Sequence, residues 1–285
     1  MRIAEVLATG RARLAAAGIA SPRLDAELLL AHALGSSRER LLLHAAEDLD
    51  RRAYARFCDV LDRRLQHVPM AHILGVREFF SHPFAVTPDT LVPRPDSETL
   101  VEAALERLPD HVAHVRLLDL GTGSGCLLLS LLVALPAAHG VGTDISEKAL
   151  AVARRNAASL GVADRARFHA GDWFAALPAG TPPFDLILSN PPYIPSAEIA
   201  HLMPEVARHE PRLALDGGPD GRDAYRRILR DAARHLRPGG WLVLEIGADQ
   251  EDAVVAAIAS AGFVDIATVR DLAHRPRVVA ARRPA

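Results

Sequence analysis

From about residue 97 onward, short apolar runs alternate with amphipathic segments, and this alternation limits the possible folds more than any other feature. Strands are expected at 115–120, 141–144, 166–170, 184–189 and 241–246. Helices are expected between and after them, at 124–135, 146–160, 224–236 and 250–261. Strands separated by helices of roughly 10 to 15 residues form a mostly parallel sheet covered on both faces. Two last strands, at about 263–269 and 277–281, follow each other too closely for a crossover and should make an antiparallel edge.

The first 75 residues read differently. Ile3, Val6, Leu7, Leu14 and Ile19 give a rough helical stripe. Ser21-Pro22 is a helix start signal, with Leu24, Leu28, Leu29 and Leu30 expected inside. Ser37 should cap a helix that buries Leu41, Leu42 and Leu43, and Asp50 another. In that last helix Tyr54, Phe57, Cys58, Leu61 and Leu65 share one face. This predicts a small all-helical domain over 1–75. Residues 76–92 place aromatics among turn formers and read as a β-hairpin linker. The α/β domain then spans 93–285, with Ser97 or Asp96 capping its first helix.

The 11 arginines and 9 acids of the helical segment nearly balance, which leaves no strong electrostatic footprint for nucleic acid. Cys58 and Cys126 form neither a disulfide framework nor a metal-site spacing, so no metal is expected. No apolar stretch is long enough to span a bilayer, and the N-terminus lacks a secretory pattern. A cytoplasmic protein, expected to be monomeric and free of membrane, is the simplest reading.

The run Leu117-Leu118-Asp119-Leu120-Gly121-Thr122-Gly123-Ser124-Gly125 is a strand entering a glycine turn that opens a helix. Glycine lets the backbone turn sharply and a ligand lie against it. The spacing Gly-x-Gly-x-Gly differs from the dinucleotide fingerprint, and there is no phosphate-loop lysine. Asp144 ends the second strand, where a carboxylate can accept both hydroxyls of a ribose. Asp172 and Trp173 follow the third strand and could meet an adenine edge, with plain aromatic packing as the bland reading of Trp173. Together these residues favour a nucleoside ligand without pyrophosphate.

Asn190-Pro191-Pro192-Tyr193-Ile194-Pro195 directly follows a buried strand and should form a rigid loop. The Asn190 side-chain oxygen and the Pro191 carbonyl could each accept one N–H of a planar NH2 group, and Tyr193 could pack against its plane. A structural Asn-Pro turn is the competing reading.

Asn190-Pro191-Pro192-Tyr193 resembles the signature shared by amino-directed adenine methyltransferases and protein glutamine-N5 methyltransferases. The blocks 77–80, 91–98, 210–221, 244–250 and 271–279 are similar to those of the bacterial release factor glutamine methyltransferases, PrmC or HemK. The resemblance implies a class I S-adenosylmethionine-dependent methyltransferase fold with a seven-stranded sheet. It implies S-adenosyl-L-methionine held by Gly121, Thr122, Gly123, Ser124, Gly125, Asp144, Asp172, Trp173 and Asn190. It further implies a glutamine site at Asn190, Pro191, Pro192 and Tyr193, with Asn190, Pro191 and Tyr193 catalytic. The partner implied is the Gly-Gly-Gln loop of peptide chain release factors, with no direct nucleic-acid requirement. Phe79 or Phe80 could line the cofactor, and Asp119 could help orient its amino end. A nucleic-acid adenine methyltransferase, which would need base flipping on a duplex, and a non-catalytic release-factor or ribosome-associated module are the alternatives.

Overall fold

The computed structural model describes residues 1–108 and 114–285. They form two compact units: Met1–Val76 with Met203–His209, and Arg77–Leu202 with Glu210–Ala285.

The first unit is helical. Its elements are α1 (Ile3–Ala16), α2 (Pro22–Leu34), α3 (Arg38–Leu43), α4 (Arg51–Leu65) and α5 (Met70–Leu74). Ser37 accepts from the Arg40 N–H, and Asp50 accepts from Arg52 and Ala53, so both act as caps as their sequence positions suggest. Ser21 makes no side-chain cap bond. The core gathers Leu14, Leu29, Leu30, Phe57 and Leu61. Leu42, Leu43 and Leu24 are exposed, contrary to the sequence expectation. Helix α3 has six residues, and three consecutive leucines point in different directions around it. Tyr54 is also exposed and Cys58 only half-buried. The buried Arg64 pairs with Asp25 at 2.6 Å and with Glu205 at 2.5 Å. Glu205 lies on α9 (Pro204–His209), which the sequence reading did not identify.

The second unit opens with the hairpin β1 (Val76–Phe79) and β2 (His82–Ala85), whose first residue still falls in the helical unit. Helix α6 (Glu98–Glu106) follows, and then the alternating elements begin. These are β3 (Arg116–Leu120), α7 (Cys126–Ala134), β4 (His139–Asp144), α8 (Glu147–Ser159), β5 (Ala166–Ala170) and β6 (Phe184–Ser189). After a long loop come α10 (Asp223–His235), β7 (Leu236–Glu245), α11 (Glu251–Ser260), β8 (Val264–Arg270) and β9 (Pro276–Arg282). The seven strands lie in the order β5-β4-β3-β6-β7-β9-β8. Pairings from β5 to β7 are parallel, and β9 is antiparallel to both β7 and β8.

Side chains alternate across this sheet. Leu117, Leu186, Leu188 and Val243 face one core with residues of α6 and α7. Leu118, Ile187, Leu242 and Leu244 face the other with residues of α10 and α11. Burial on both sides explains the near-continuous apolar runs in the sequence. The chain steps outward from β3 to β4 and β5, then returns to the other side of β3 as β6. That reversal leaves a crevice at the carboxyl ends of β3 and β6, where open α/β sheets take ligands.

One buried side chain ties the hairpin to this crevice. Asn156, on α8, accepts from the Ala85 N–H at 2.8 Å and donates to the Ala85 carbonyl at 3.0 Å. It also donates to the Ser124 carbonyl at 2.9 Å, inside the glycine turn.

Candidate active site

A cavity of about 620 Å³ opens at the carboxyl ends of β3, β4, β5 and β6. It brings together Gly121, Gly123, Asp144, Asp172, Trp173, Asn190 and Pro192 from four separate loops.

The glycine turn is needed where it stands. Gly121, Gly123 and Gly125 all have positive φ, and a Cβ on Gly125 would come within 2.9 Å of the Leu129 side chain. Thr122 and Ser124, also assigned to the cofactor on sequence, are buried and do not line the cavity. Thr122 donates to Asp119 at 2.6 Å, which fastens the turn from beneath.

Asp144 accepts from the Gly123 N–H and from the Ser146 N–H, each at 2.8 Å and each on a different oxygen. A carboxylate offers about four acceptor sites, so both oxygens keep capacity toward the cavity. Burial pushes the pKa of the Asp144 carboxyl above its ordinary value, against the pull of these N–H groups. The arrangement fits a ribose, whose two adjacent hydroxyls need two acceptors.

Asp172 pairs with Arg227, and both line the cavity. Its Oδ2 is thus engaged by a guanidinium. Trp173 adopts a left-handed backbone, φ 49°, rare for a large residue. A Cβ on Gly121 would lie 3.6 Å from its ring, so indole and glycine turn wall the same space.

At the reacting end, Asn190 Nδ2 donates to Ser97 Oγ at 3.2 Å. Among the described residues nothing donates to Asn190 Oδ1 or to the Pro191 carbonyl; Asn190 lines the cavity, whereas Pro191 is buried and does not. Ser97 makes no helix-cap bond; its hydroxyl serves the Asn190 loop instead of α6. Tyr193 does not line the cavity. Its hydroxyl points to Glu245 Oε1 at 3.4 Å, and its main role here is to anchor the loop. Gln250 completes that anchor: its Nε2 donates to the Tyr193 carbonyl at 3.0 Å, while its Oε1 accepts from Gly247 N–H and Tyr225 hydroxyl.

Phe79 and Phe80 lie away from the cavity. Phe79 packs edge-on against Phe84 in the core, 6.1 Å between centroids. The linker contributes Pro88, Asp89, Thr90 and Leu91 to the cavity wall instead.

Asp119 is fully buried, its Oδ1 lacks a partner among the described residues, and burial pushes its carboxyl up to about 7. Thr122 opposes that rise and Asp144 adds to it. A carboxyl raised on folding adds stability below its ordinary value near 3.8, and this is lost as pH climbs through about 7. Asp119→Asn keeps an oxygen for Thr122 and removes the charge. Its melting temperature should exceed that of the native chain at alkaline pH, by on the order of 5 °C. As pH falls toward the ordinary carboxylate value near 3.8 the two should converge. Calorimetric melting curves that stay parallel across this range would remove Asp119 as the source.

Residues 5–75 match the family described as PrmC N-terminal domain, and residues 111–262 match a methyltransferase domain. A curated relative from Cereibacter sphaeroides, named release factor glutamine methyltransferase, is 50% identical over 285 residues and covers 100% of both chains. The chain belongs to the release factor glutamine methyltransferase family. Another relative of that name, from Bradyrhizobium diazoefficiens, is 48% identical over 95% of this chain and 92% of its own. A solved methyltransferase from Pyrococcus furiosus aligns with a TM-score of 0.52 at 17% identity, over 71% of this chain and 89% of that one. That likeness concerns the fold, which is the class I methyltransferase fold.

For this member of the release factor glutamine methyltransferase family, sequence reasoning missed that Ser97 contacts Asn190, that Glu245 and Gln250 contact Tyr193, and that Arg227 lines the cavity. Glu245 carried a readable signal: an acid closing the apolar strand Trp241-Leu242-Val243-Leu244. Among the described residues, no His, Cys, Asp and Glu cluster could hold a metal ion, and no helix is long and apolar enough to cross a membrane.

Proposed function

We propose that this protein transfers the methyl group of S-adenosyl-L-methionine to the side-chain amide nitrogen, N5, of the glutamine in the Gly-Gly-Gln loop of peptide chain release factors. The observation that carries the proposal is that Asp144 and Asn190 open onto one cavity: an acceptor suited to a ribose beside an acceptor suited to a planar NH2. The names of its full-length relatives support the same reading.

S-adenosylmethionine, when bound, supplies an electrophilic methyl on a cationic sulfur. The chain supplies position and charge complementarity. Gly121, Gly123, Asp144, Asp172 and Trp173 hold the nucleoside. Asn190 Oδ1 and the Pro191 carbonyl take the two N–H bonds of the amide. An amide nitrogen is a poor nucleophile because its lone pair is delocalised. Acceptors on both N–H bonds favour the positive charge that develops on that nitrogen, and a proton leaves to water. Pro192 walls the amide, and the anchored Tyr193 keeps the loop rigid.

The helical unit recognises the body of the release factor and leaves the cavity to take the loop. A monomer working in the cytoplasm, where release factors act, completes this reading.

Mass spectrometry of a release factor after incubation with the enzyme and S-adenosylmethionine tests it. One added methyl is expected on the side-chain nitrogen of one glutamine. The intact factor should be used with a far higher kcat/KM than a short loop peptide. Methyl on DNA adenine instead, or none on the factor, would reject the function. Equal use of factor and peptide would reject the recognition role.

A further inference from the structure

Glu245 stands behind the reacting loop with no role in holding either substrate. It is 1% exposed, and its Oε2 has no close hydrogen-bond partner among the described residues. Ser97 faces this carboxyl, in a contact looser than a hydrogen bond proper, and favours its ionised form. The same Ser97 oxygen accepts from Asn190 Nδ2.

A hydroxyl carries one proton. Ser97 uses a lone pair for Asn190, so its proton is free to turn to the Glu245 carboxylate. Donation then runs in one direction, from Asn190 to Ser97 to Glu245. This polarity decides the orientation of the Asn190 amide. Its NH2 points back at Ser97, and its oxygen points to the cavity. The opposite orientation would present two N–H donors to an incoming NH2, which is repulsive.

We propose that Glu245 is a positioning residue, which through Ser97 fixes the Asn190 amide with its oxygen toward the acceptor nitrogen of the substrate. The inference rests on the glutamine-methylating reading of the cavity and names what sets its reacting geometry. Tyr193, donating to the other oxygen of Glu245, ties the far end of the loop to the same carboxyl.

The arrangement has a pH signature. Burial lifts Glu245 to about 7. Ser97, Arg277 from β9 and Tyr193 from the loop pull it down, and Asp96 pushes it up. Tyr225 from α10 and Cys126 from α7 also feel its charge. Protonated, Glu245 becomes a donor to Ser97. Ser97 can then donate to Asn190 and turn the amide over. The chemical step should therefore quicken as pH rises through neutrality, even with cofactor saturating and Asp144 already engaged.

The test is single-turnover methyl transfer by the full chain to an intact release factor, at saturating S-adenosylmethionine and factor, from about pH 6 to about pH 9. In Glu245→Gln, the amide oxygen can satisfy Tyr193, which turns the NH2 toward Ser97 and reverses the chain. The rate above neutral pH should fall about tenfold, the size expected for one misdirected hydrogen bond. The rise with pH should disappear, while calorimetric cofactor affinity stays within about twofold of the native value. Ser97→Ala should lose a similar factor, and Ser97→Thr should recover most of it by restoring a hydroxyl. An E245Q enzyme with the native rate and pH limb overturns the proposal. If E245Q does not fold, an S97A enzyme as fast as the native one, or an S97T enzyme as slow as S97A, overturns it equally. A native chain that methylates no release factor sinks the functional reading itself, which is a separate result from an active native enzyme with an unaffected E245Q.

Discussion

Asn190→Ala should slow methyl transfer by roughly 10² to 10³, a magnitude typical for losing one transition-state hydrogen bond. Cofactor affinity should change little, because the glycine turn and Asp144 remain. The effect belongs in turnover, since an acceptor that stabilises a developing positive charge acts more strongly on the transition state than on bound substrate. The loop itself should survive. Tyr193 is held by Gln250 and Glu245, and Ile194 N–H donates to the Leu215 carbonyl at 3.0 Å, all without Asn190. Asn190→Asp keeps an oxygen but cannot donate to Ser97, so it should also be slow, for a different reason. Single-turnover rates at saturating cofactor and release factor separate chemistry from binding. A folded N190A enzyme with a near-native chemical rate would leave Asn190 as a turn residue.

Asp144→Ala should weaken S-adenosylmethionine binding by about 10²-fold or more. Hydrogen bonds to a charged group contribute roughly 1.5 to 3 kcal/mol each, and two are lost, though not additively. The same substitution releases the Gly123 and Ser146 N–H groups, so the glycine turn loosens as well. Asp144→Asn keeps an oxygen and removes the charge, and should fall between. Because burial raises the Asp144 carboxyl, native affinity should itself decline as pH is lowered into the acidic range. Calorimetry showing unchanged affinity in a folded D144A protein would exclude the ribose role.

Much of the fold, and the residues that line the cavity, were legible in the sequence. Apolar runs located β3 and β6 closely, because central strands are buried on both faces, while turn signals and helix starts placed β4 and β5. The glycine turn, Asp144 and Asn190 were legible because each needs a particular residue at a strand end. Less was legible where tertiary contacts override local preference. Ser97 has the sequence position of a helix cap and gives its hydroxyl to Asn190 instead. Tyr193 looked like a wall for the substrate plane, yet Glu245 draws its hydroxyl away from the cavity. β7 begins at Leu236, before Pro238-Gly239-Gly240, because Leu236 pairs with Phe184 across an irregular register that local turn signals do not show. The loop between β6 and α10 has weak periodicity, so α9 went unread.

Gly221 shows how tightly the reacting loop is bound to distant parts of the chain. A Cβ there would press on the Tyr193 carbonyl oxygen and stand 2.8 Å from the Gln250 amide nitrogen, at φ 71°. No side chain of any size fits. Tyr193, Gly221 and Gln250 are separated along the chain by 28 and 29 residues, but each sets the space left to the others. The three therefore act as one mechanical unit, and a change at any of them is felt by the reacting loop through the other two.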